Sequence, residues 1–203
     1  MEQIVNDKIL AMYRAVWDLT REGQNVYNMK VVDITNRAGI GKGTAYEYFR
    51  SKEELVAKAL RYGTYLEYEH LLERIQAQDT LKDALNVCFS WLEEDEEKMA
   101  CLLQFLKNSG AHEEIIRKGM KCMQENMEED AKKIQFLLQL MADLGKKEGT
   151  ICRETADPLV CLQILSQLMG YFTYRKFHKG SGEEEDRKVR EFLYKSLENG
   201  VKQ

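Results

Sequence analysis

Five polar residues in the N-terminal part of the chain carry groups that suit phosphates and base edges: Lys42, Thr44, Tyr46, Tyr48 and Lys52. A lysine supplies a cation, a threonine a hydroxyl and a tyrosine a phenol, and all three contact nucleic acid in known complexes. Lys52 falls in the first turn of a predicted helix, where free N–H groups favour an anion such as phosphate. The residue types therefore predict a nucleic-acid-binding surface.

Two short helices joined by a glycine corner must position these residues. The first helix has one apolar face with helical spacing, formed by Val31, Ile34 and Ala38. Gly39 follows where a left-handed residue would end that helix. Gly41 occupies the N-cap position of the second helix, and Ala45 and Phe49 share its inner face. This arrangement directs the polar residues outwards.

Gly43 and the segment after Phe49 add two further predictions. Gly43 costs about 1 kcal/mol against alanine inside a helix, and its missing side chain would allow close approach to a DNA backbone. Ser51 and Glu54 have the spacing of a capping box, which predicts the start of the next helix.

Two other interpretations of these residues are weaker. The run GIGKGT looks like a phosphate loop, but that motif needs GxxxxGK[ST] after a strand, and here a glycine follows Lys42. An ordinary helical hairpin at the surface also has glycine corners, but it does not require so many residue types at fixed spacing.

The segment AGIGKGTAYEYFRSKEEL resembles the helix-turn-helix of the tetracycline-repressor (TetR) family of bacterial regulators. The positions that match the family pattern are Ile34, Ala38, Gly39, Gly43, Thr44, Tyr46, Tyr48, Phe49, Lys52, Glu53 and Leu55. Thr35, Gly41 and Ala45 depart from it. The match covers about a quarter of the chain and is specific because many positions agree.

The resemblance implies an all-α fold with a three-helix DNA-binding domain at residues 1–63 and a helical effector-binding and dimerisation domain at residues 64–203. The helix-turn-helix would span about residues 30–49. The expected DNA-binding residues are Lys30, Gly41, Lys42, Gly43, Thr44, Tyr46, Tyr48 and Lys52. The family also implies a homodimer on a palindromic operator of double-stranded DNA, usually as a repressor that a small molecule releases.

The net charge of the predicted DNA-binding domain has the sign that DNA binding favours, but its magnitude is small. The 203-residue chain has a net charge of −4. Residues 1–62 carry ten Lys+Arg and eight Asp+Glu, or +2, which leaves −6 for residues 63–203. A weakly basic domain makes few phosphate contacts per subunit, so it would depend on dimerisation.

The cysteines and histidines indicate no metal site. The five cysteines, an odd number, include no CxxC pair, and the three histidines are scattered. We expect buried, reduced cysteines in a cytoplasmic protein, with a redox-sensing thiol as the less favoured alternative. We also expect no signal peptide, no membrane span, no cofactor and no catalytic residues.

The C-terminal part predicts a partner-covered surface. Asp157 and Pro158 resemble a cap followed by a proline in the first turn, and the helix they begin is apolar on nearly every side. In the resembled family the last two helices pair with their copies in a four-helix interface. The expected interface residues are Leu162, Leu165, Met169, Phe172, Phe192 and Leu193.

A row of methionines with helical spacing leads into a helix that we expect to end at Gly145. The preferred interpretation of these methionines is ordinary core packing, and the alternative is an adaptable apolar pocket for an effector. The candidate pocket residues are Cys88, Trp91, Phe105, Met120, Met123 and Met127. Between them, the acidic run from Glu93 to Lys98 predicts a solvated turn.

The sequence thus favours a sequence-specific DNA-binding transcriptional regulator, a repressor that a small and largely apolar effector releases from DNA. Two alternatives stay open. One is a helical small-molecule-binding protein with a weak or vestigial DNA-binding domain, which the low basicity and Gly41 support. The other is a helical enzyme, for which no catalytic set is visible.

Overall fold

The described residues of the computed structural model are 6–26, 28–94, 127–178, 180 and 182–201. Over these ranges the chain is all-α, without strands, as predicted. The helices are α1 Asp7–Arg21, α2 Val31–Ala38, α3 Lys42–Tyr48, α4 Lys52–Gln76, α5 Leu81–Glu94, α6 Met127–Glu148, α7 Asp157–Phe177 and α8 Glu183–Val201.

The described residues fall into two compact units. The first comprises the described residues up to Tyr68 together with Met127, and the second comprises residues 69–94, 128–178, 180 and 182–201. Helix α4 begins in the first unit, and its last residues belong to the second. The division at residues 63 and 64 stays a prediction.

The first unit forms around α1. Met12 and Val16 of this helix are fully buried, together with Ile34 of α2 and Ala59 of α4. The ring of Tyr13 lies 6.0 Å from the ring of Phe49, between centroids, so α1 also packs against the end of α3. Burial of these side chains, at about 1.5–3 kcal/mol each, is what holds the short helices α2 and α3 in place.

The corner between α2 and α3 has the predicted backbone. Gly39 adopts φ 65°, the left-handed conformation that ends α2, and the N–H of Ile40 then donates to the carbonyl of Thr35. Gly41 is the N-cap of α3 with φ −67°. At the start of α2, the carboxylate of Asp33 accepts the backbone N–H of Lys30.

The second unit has its own core, formed by α5, α6, α7, α8 and the end of α4. Its fully buried residues include Ile75, Leu81, Phe89, Ile164 and Leu197. The rings of Phe89 and Tyr171 lie 4.6 Å apart and join α5 to α7.

The prediction of a solvated turn from Glu93 is wrong at its first two residues, because α5 continues to Glu94. The carboxylate of Glu93 accepts the hydroxyl of Tyr171 and pairs with the guanidinium of Arg190. Arg190 also donates to Ser90 at 3.4 Å. Burial, and next the Glu93 carboxylate, raise the pKa of Tyr171 to about 12. This cluster links α5, α7 and α8; residues 95–98 lie outside the described residues.

In the second unit, the predicted end of α6 and the predicted start of α7 also need correction. Helix α6 passes through Gly145 and ends at Glu148, followed by Gly149 with φ 83°. A Cβ at Gly145 would lie 2.5 Å from Cδ1 of Ile151, so this glycine makes room for a neighbouring side chain. At α7 the N-cap is Ala156, one residue before the predicted cap, and Asp157 instead accepts from Lys146 at 2.5 Å.

Candidate nucleic-acid interface

Helix α3 presents its polar side chains outwards and its apolar ones inwards, as the spacing predicts. Ala45 and Phe49 are buried at its inner face. Lys42 is exposed at the first position, and 51% of Tyr46 is exposed. Thr44 and Tyr48 are half-buried. A short helix with this division can bring a cation and a phenol to a ligand without disturbing the core.

Four of the predicted residues meet in one shallow depression, which we call the lysine-lined depression. Its defining residues are Lys30, Lys42, Tyr46 and Lys52, contributed by the start of α2, by α3 and by the start of α4. Three lysines around one open concave surface attract an anion such as a backbone phosphate. The other predicted DNA-binding residues, Gly41, Gly43, Thr44 and Tyr48, do not line it.

Lys52 is held by the capped start of α4. The hydroxyl of Ser51 accepts the backbone N–H of Glu54 at 3.2 Å. The second half of the predicted capping box differs, because the carboxylate of Glu54 accepts the N–H of Arg50 at 2.7 Å. Glu54 also pairs with Lys58 at 2.8 Å, and this hydrogen bond holds the pKa of the Glu54 carboxyl below its usual range.

Tyr48 has a second role, in contact with α1. Its phenol oxygen accepts a hydrogen bond of 3.1 Å from the side-chain amide of Asn6, the N-cap of α1. The hydroxyl hydrogen of Tyr48 can still be donated to a phosphate oxygen. This contact fixes the end of α3 relative to α1.

Gly41 and Gly43 have no packing reason to be glycine. A Cβ at Gly43 would meet no atom within 4 Å, and one at Gly41 would meet only the hydroxyl of Thr44, at 4.0 Å. Neither adopts a positive φ. Glycine weakens a helix, and the predicted close approach of a DNA backbone at Gly43 stays a prediction.

Sequence reasoning missed four residues that line the lysine-lined depression, Asn28, Met29, Val31 and Val32, of which Met29 and Val31 are buried core residues. Val32 lies on α2, is 40% exposed, and falls off the stripe that begins at Val31. An apolar residue outside the stripe of a short amphipathic helix was the available signal. Asn28 precedes α2, and no pattern in the sequence marks it.

The candidate effector-pocket residues lie only partly within the described ranges. Cys88 is buried in the core of the second unit, with its Sγ 3.8 Å from Sδ of Met141, and Trp91 is half-buried beside that core. Met127 begins α6. Phe105, Met120 and Met123 lie outside the described residues. The effector pocket stays a prediction.

An exposed apolar surface runs over α7 and α8. It consists of Leu159, Leu162, Leu165, Met169 and Phe192. Leu162 is 60% exposed and Phe192 is 68% exposed, whereas Phe172 and Leu193, also predicted for the interface, are half-buried. The opposite face of α7 is buried in the core through Val160, Ile164 and Tyr171.

Within the described ranges, no three His, Cys, Asp or Glu side chains are grouped to hold a metal ion. In the same part of the chain, no helix combines the length and the apolarity needed to cross a membrane.

Comparison with known proteins gives one family match and many similar folds. Residues 24–59 match the family described as "Bacterial regulatory proteins, tetR family". This range contains α2, α3 and every residue that lines the lysine-lined depression. No curated protein matches the chain.

Solved structures share the fold along the whole chain at low sequence identity. A TetR-family regulator from Cytophaga hutchinsonii is 16% identical with a TM-score of 0.64, covering 99% of this chain and 98% of its own. The regulator FadR from Bacillus subtilis, solved with stearoyl-CoA, is 19% identical with a TM-score of 0.60, covering 95% and 98%. A regulator from Saccharomonospora viridis, solved with choline, is 16% identical with a TM-score of 0.62, covering 95% and 96%.

The family match lies on the helix-turn-helix that the sequence predicted, and the fold similarity extends over both units. Residues 24–59 are therefore similar to the tetR family of bacterial regulatory proteins, and the chain shares its fold with solved transcriptional regulators.

Proposed function

We propose that the protein is a dimeric repressor that binds a palindromic operator through α3 and is released by a small, largely apolar effector. The observation that carries this proposal is the lysine-lined depression, where three lysines and an exposed tyrosine from the helix-turn-helix and its flanks face one open surface.

The proposed DNA contacts are of two kinds, contacts to the major groove and contacts to phosphates. Lys42, Thr44 and Tyr46 would contact the major groove and its edge, because α3 exposes or half-exposes them. Lys30, Lys52 and the hydroxyl of Tyr48 would bind phosphates. Gly41 and Gly43 would allow the backbone of α3 to approach the DNA closely.

The exposed apolar surface of α7 and α8 is proposed as the dimer interface. An apolar patch of this kind on a regulator usually marks a protein–protein contact. Each helix would then have a buried face toward its own core and an outer face toward the partner. A two-fold dimer would place two recognition helices about 34–36 Å apart, one turn of B-DNA.

Effector control is proposed for the second unit. FadR from Bacillus subtilis was solved with stearoyl-CoA and the Saccharomonospora viridis regulator with choline, so similar folds bind small molecules. An effector that prefers the conformer with the wrong spacing of recognition helices would shift the population away from DNA. A tenfold release needs about 1.4 kcal/mol of differential affinity.

Substitution of Lys42 tests the DNA interface. Lys42→Ala should weaken operator binding roughly tenfold at physiological salt and reduce the slope of log affinity against log salt by about 1, because one cation at the edge of the major groove is lost. Its melting temperature should stay that of the unsubstituted protein, since Lys42 is exposed.

The matched control is Lys132→Ala, which removes an exposed lysine from α6 of the second unit and should leave binding unchanged. Fluorescence anisotropy with labelled operator gives both affinities. If Lys42→Ala and Lys132→Ala bind alike over the salt series, Lys42 is not a DNA contact.

A further inference from the structure

Gly63 of α4 is buried under the side chain of Trp17 of α1. A Cβ at Gly63 would lie 2.1 Å from Cε2 and Cζ2 of the indole ring and 2.2 Å from its Nε1. The φ angle of Gly63 is not positive, so its backbone does not require glycine. The residue is glycine because the indole occupies the space that any other side chain would need.

The same indole makes a directional contact one turn earlier on α4. Its Nε1 donates a hydrogen bond of 2.9 Å to the backbone carbonyl of Ala59. Ala59 and Gly63 are four residues apart and therefore lie on one face of the helix. A slide of α4 by one residue, about 1.5 Å, would break this bond and bring a side chain under the ring. Trp17, Ala59 and Gly63 together fix the register of α4 on α1; we call them the Trp17–Gly63 notch.

Helix α1 also holds the recognition helix. Asn6 donates to Tyr48 at 3.1 Å, and Tyr13 packs against Phe49. Helix α4, which the notch holds against α1, begins with Lys52, and Lys52 lines the lysine-lined depression. The position of Lys52 relative to α3 therefore depends on the register of α4 on α1.

We propose that Trp17 and Gly63 are positioning residues for DNA binding: the notch sets the register of α4, and with it the place of Lys52 beside α3. The inference rests on the proposed DNA contacts of Lys42, Tyr46 and Lys52. Neither Trp17 nor Gly63 touches the DNA in this account.

A double-mutant cycle on operator affinity tests the notch. Gly63→Ala should lower specific operator affinity roughly tenfold, because its methyl group displaces the indole. In the Trp17→Phe background the same change should cost no more than about twofold, since the shorter phenylalanine ring vacates the contacted space. Thr64→Ala, at an exposed neighbouring position of α4, is the matched control and should leave binding unchanged.

The ratio of specific to non-specific DNA affinity separates positioning from simple destabilisation. A loss of folded protein lowers both affinities by the same factor, whereas a misplaced α4 lowers specific binding more. If Gly63→Ala does not fold, Trp17→Phe alone still tests the proposal, because loss of the bond to Ala59 should lower this ratio about threefold.

Additive effects in the cycle, or an unchanged ratio in Trp17→Phe, would overturn the inference while leaving the proposed function intact. Absence of any specific operator for the unsubstituted protein would overturn both.

Discussion

Three lysines and a tyrosine reach the lysine-lined depression from three different helices, and three of these four residues are placed by a neighbour with no proposed role in binding. Asp33 caps the backbone of Lys30, Ser51 begins the helix of Lys52, and buried Ala45 turns Tyr46 outwards. Removal of such a neighbour would change binding without removing a contact.

The exposure of α3 residues could be predicted from the sequence because it depends on local helical spacing. The shared depression could not, because Lys30, Lys42 and Lys52 are brought together by the packing of α1 against all three helices. Glu93 shows the same limit: the acidic run around it indicates solvent, and its partner Arg190 lies 97 residues further along the chain.

Cys88 should be an inert thiol. Burial raises its pKa to about 12. At pH 8 only about one thiol in ten thousand would be ionised, and the thiolate is the reactive form. Iodoacetamide at pH 8 should therefore leave Cys88 unmodified in the folded protein while labelling Cys152, which is half-exposed and donates to Glu154.

Peptide mass spectrometry measures this labelling, and the urea-unfolded protein, where both thiols react, provides the control. Labelling of Cys88 as fast as Cys152 in the folded state would instead make Cys88 a candidate redox sensor.

At the scale of helices, glycines illustrate what sequence patterns can and cannot distinguish. Gly39 and Gly145 both follow apolar helical patterns, and both were predicted to end a helix. Gly39 does so with a left-handed φ, whereas α6 continues through Gly145, whose missing side chain makes room for Ile151. Ile151 lies beyond the end of α6, so the apolar pattern of α6 alone does not show why residue 145 is a glycine.

A charged substitution on the exposed face of α7 tests the proposed dimer interface. Leu162→Glu should place a charge in the proposed dimer interface at a cost of about 3 kcal/mol, which raises the dissociation constant of the dimer roughly a hundredfold. Sedimentation equilibrium measures that constant directly.

Ile134→Glu on α6 is the control for Leu162→Glu. Ile134 is 54% exposed, similar to Leu162, but was not predicted for the interface. If both variants dimerise as tightly as the unsubstituted protein, the dimer uses another surface.

At the scale of the whole molecule, the described residues form two units with separate cores, to which we assign DNA binding and effector binding as a proposal. The DNA-binding fold was predictable because its residues match a family pattern at fixed spacing. The second unit was predictable only as a set of amphipathic helices, because packing residues such as Leu85 and Ile164 are interchangeable with other apolar residues. The proposed effector therefore has to be sought by experiment.

Selection of bound sequences from a random DNA pool, with folded protein at physiological salt, tests the central claim most directly. We predict enrichment of a palindrome whose two half-sites are centred one helical turn, or a multiple of it, apart. Such a site would identify a sequence-specific dimeric regulator and supply the operator for the variants above. No enrichment, from protein shown to be folded, dimeric and free of bound small molecules, would contradict the account and favour a small-molecule-binding protein with a vestigial DNA-binding domain.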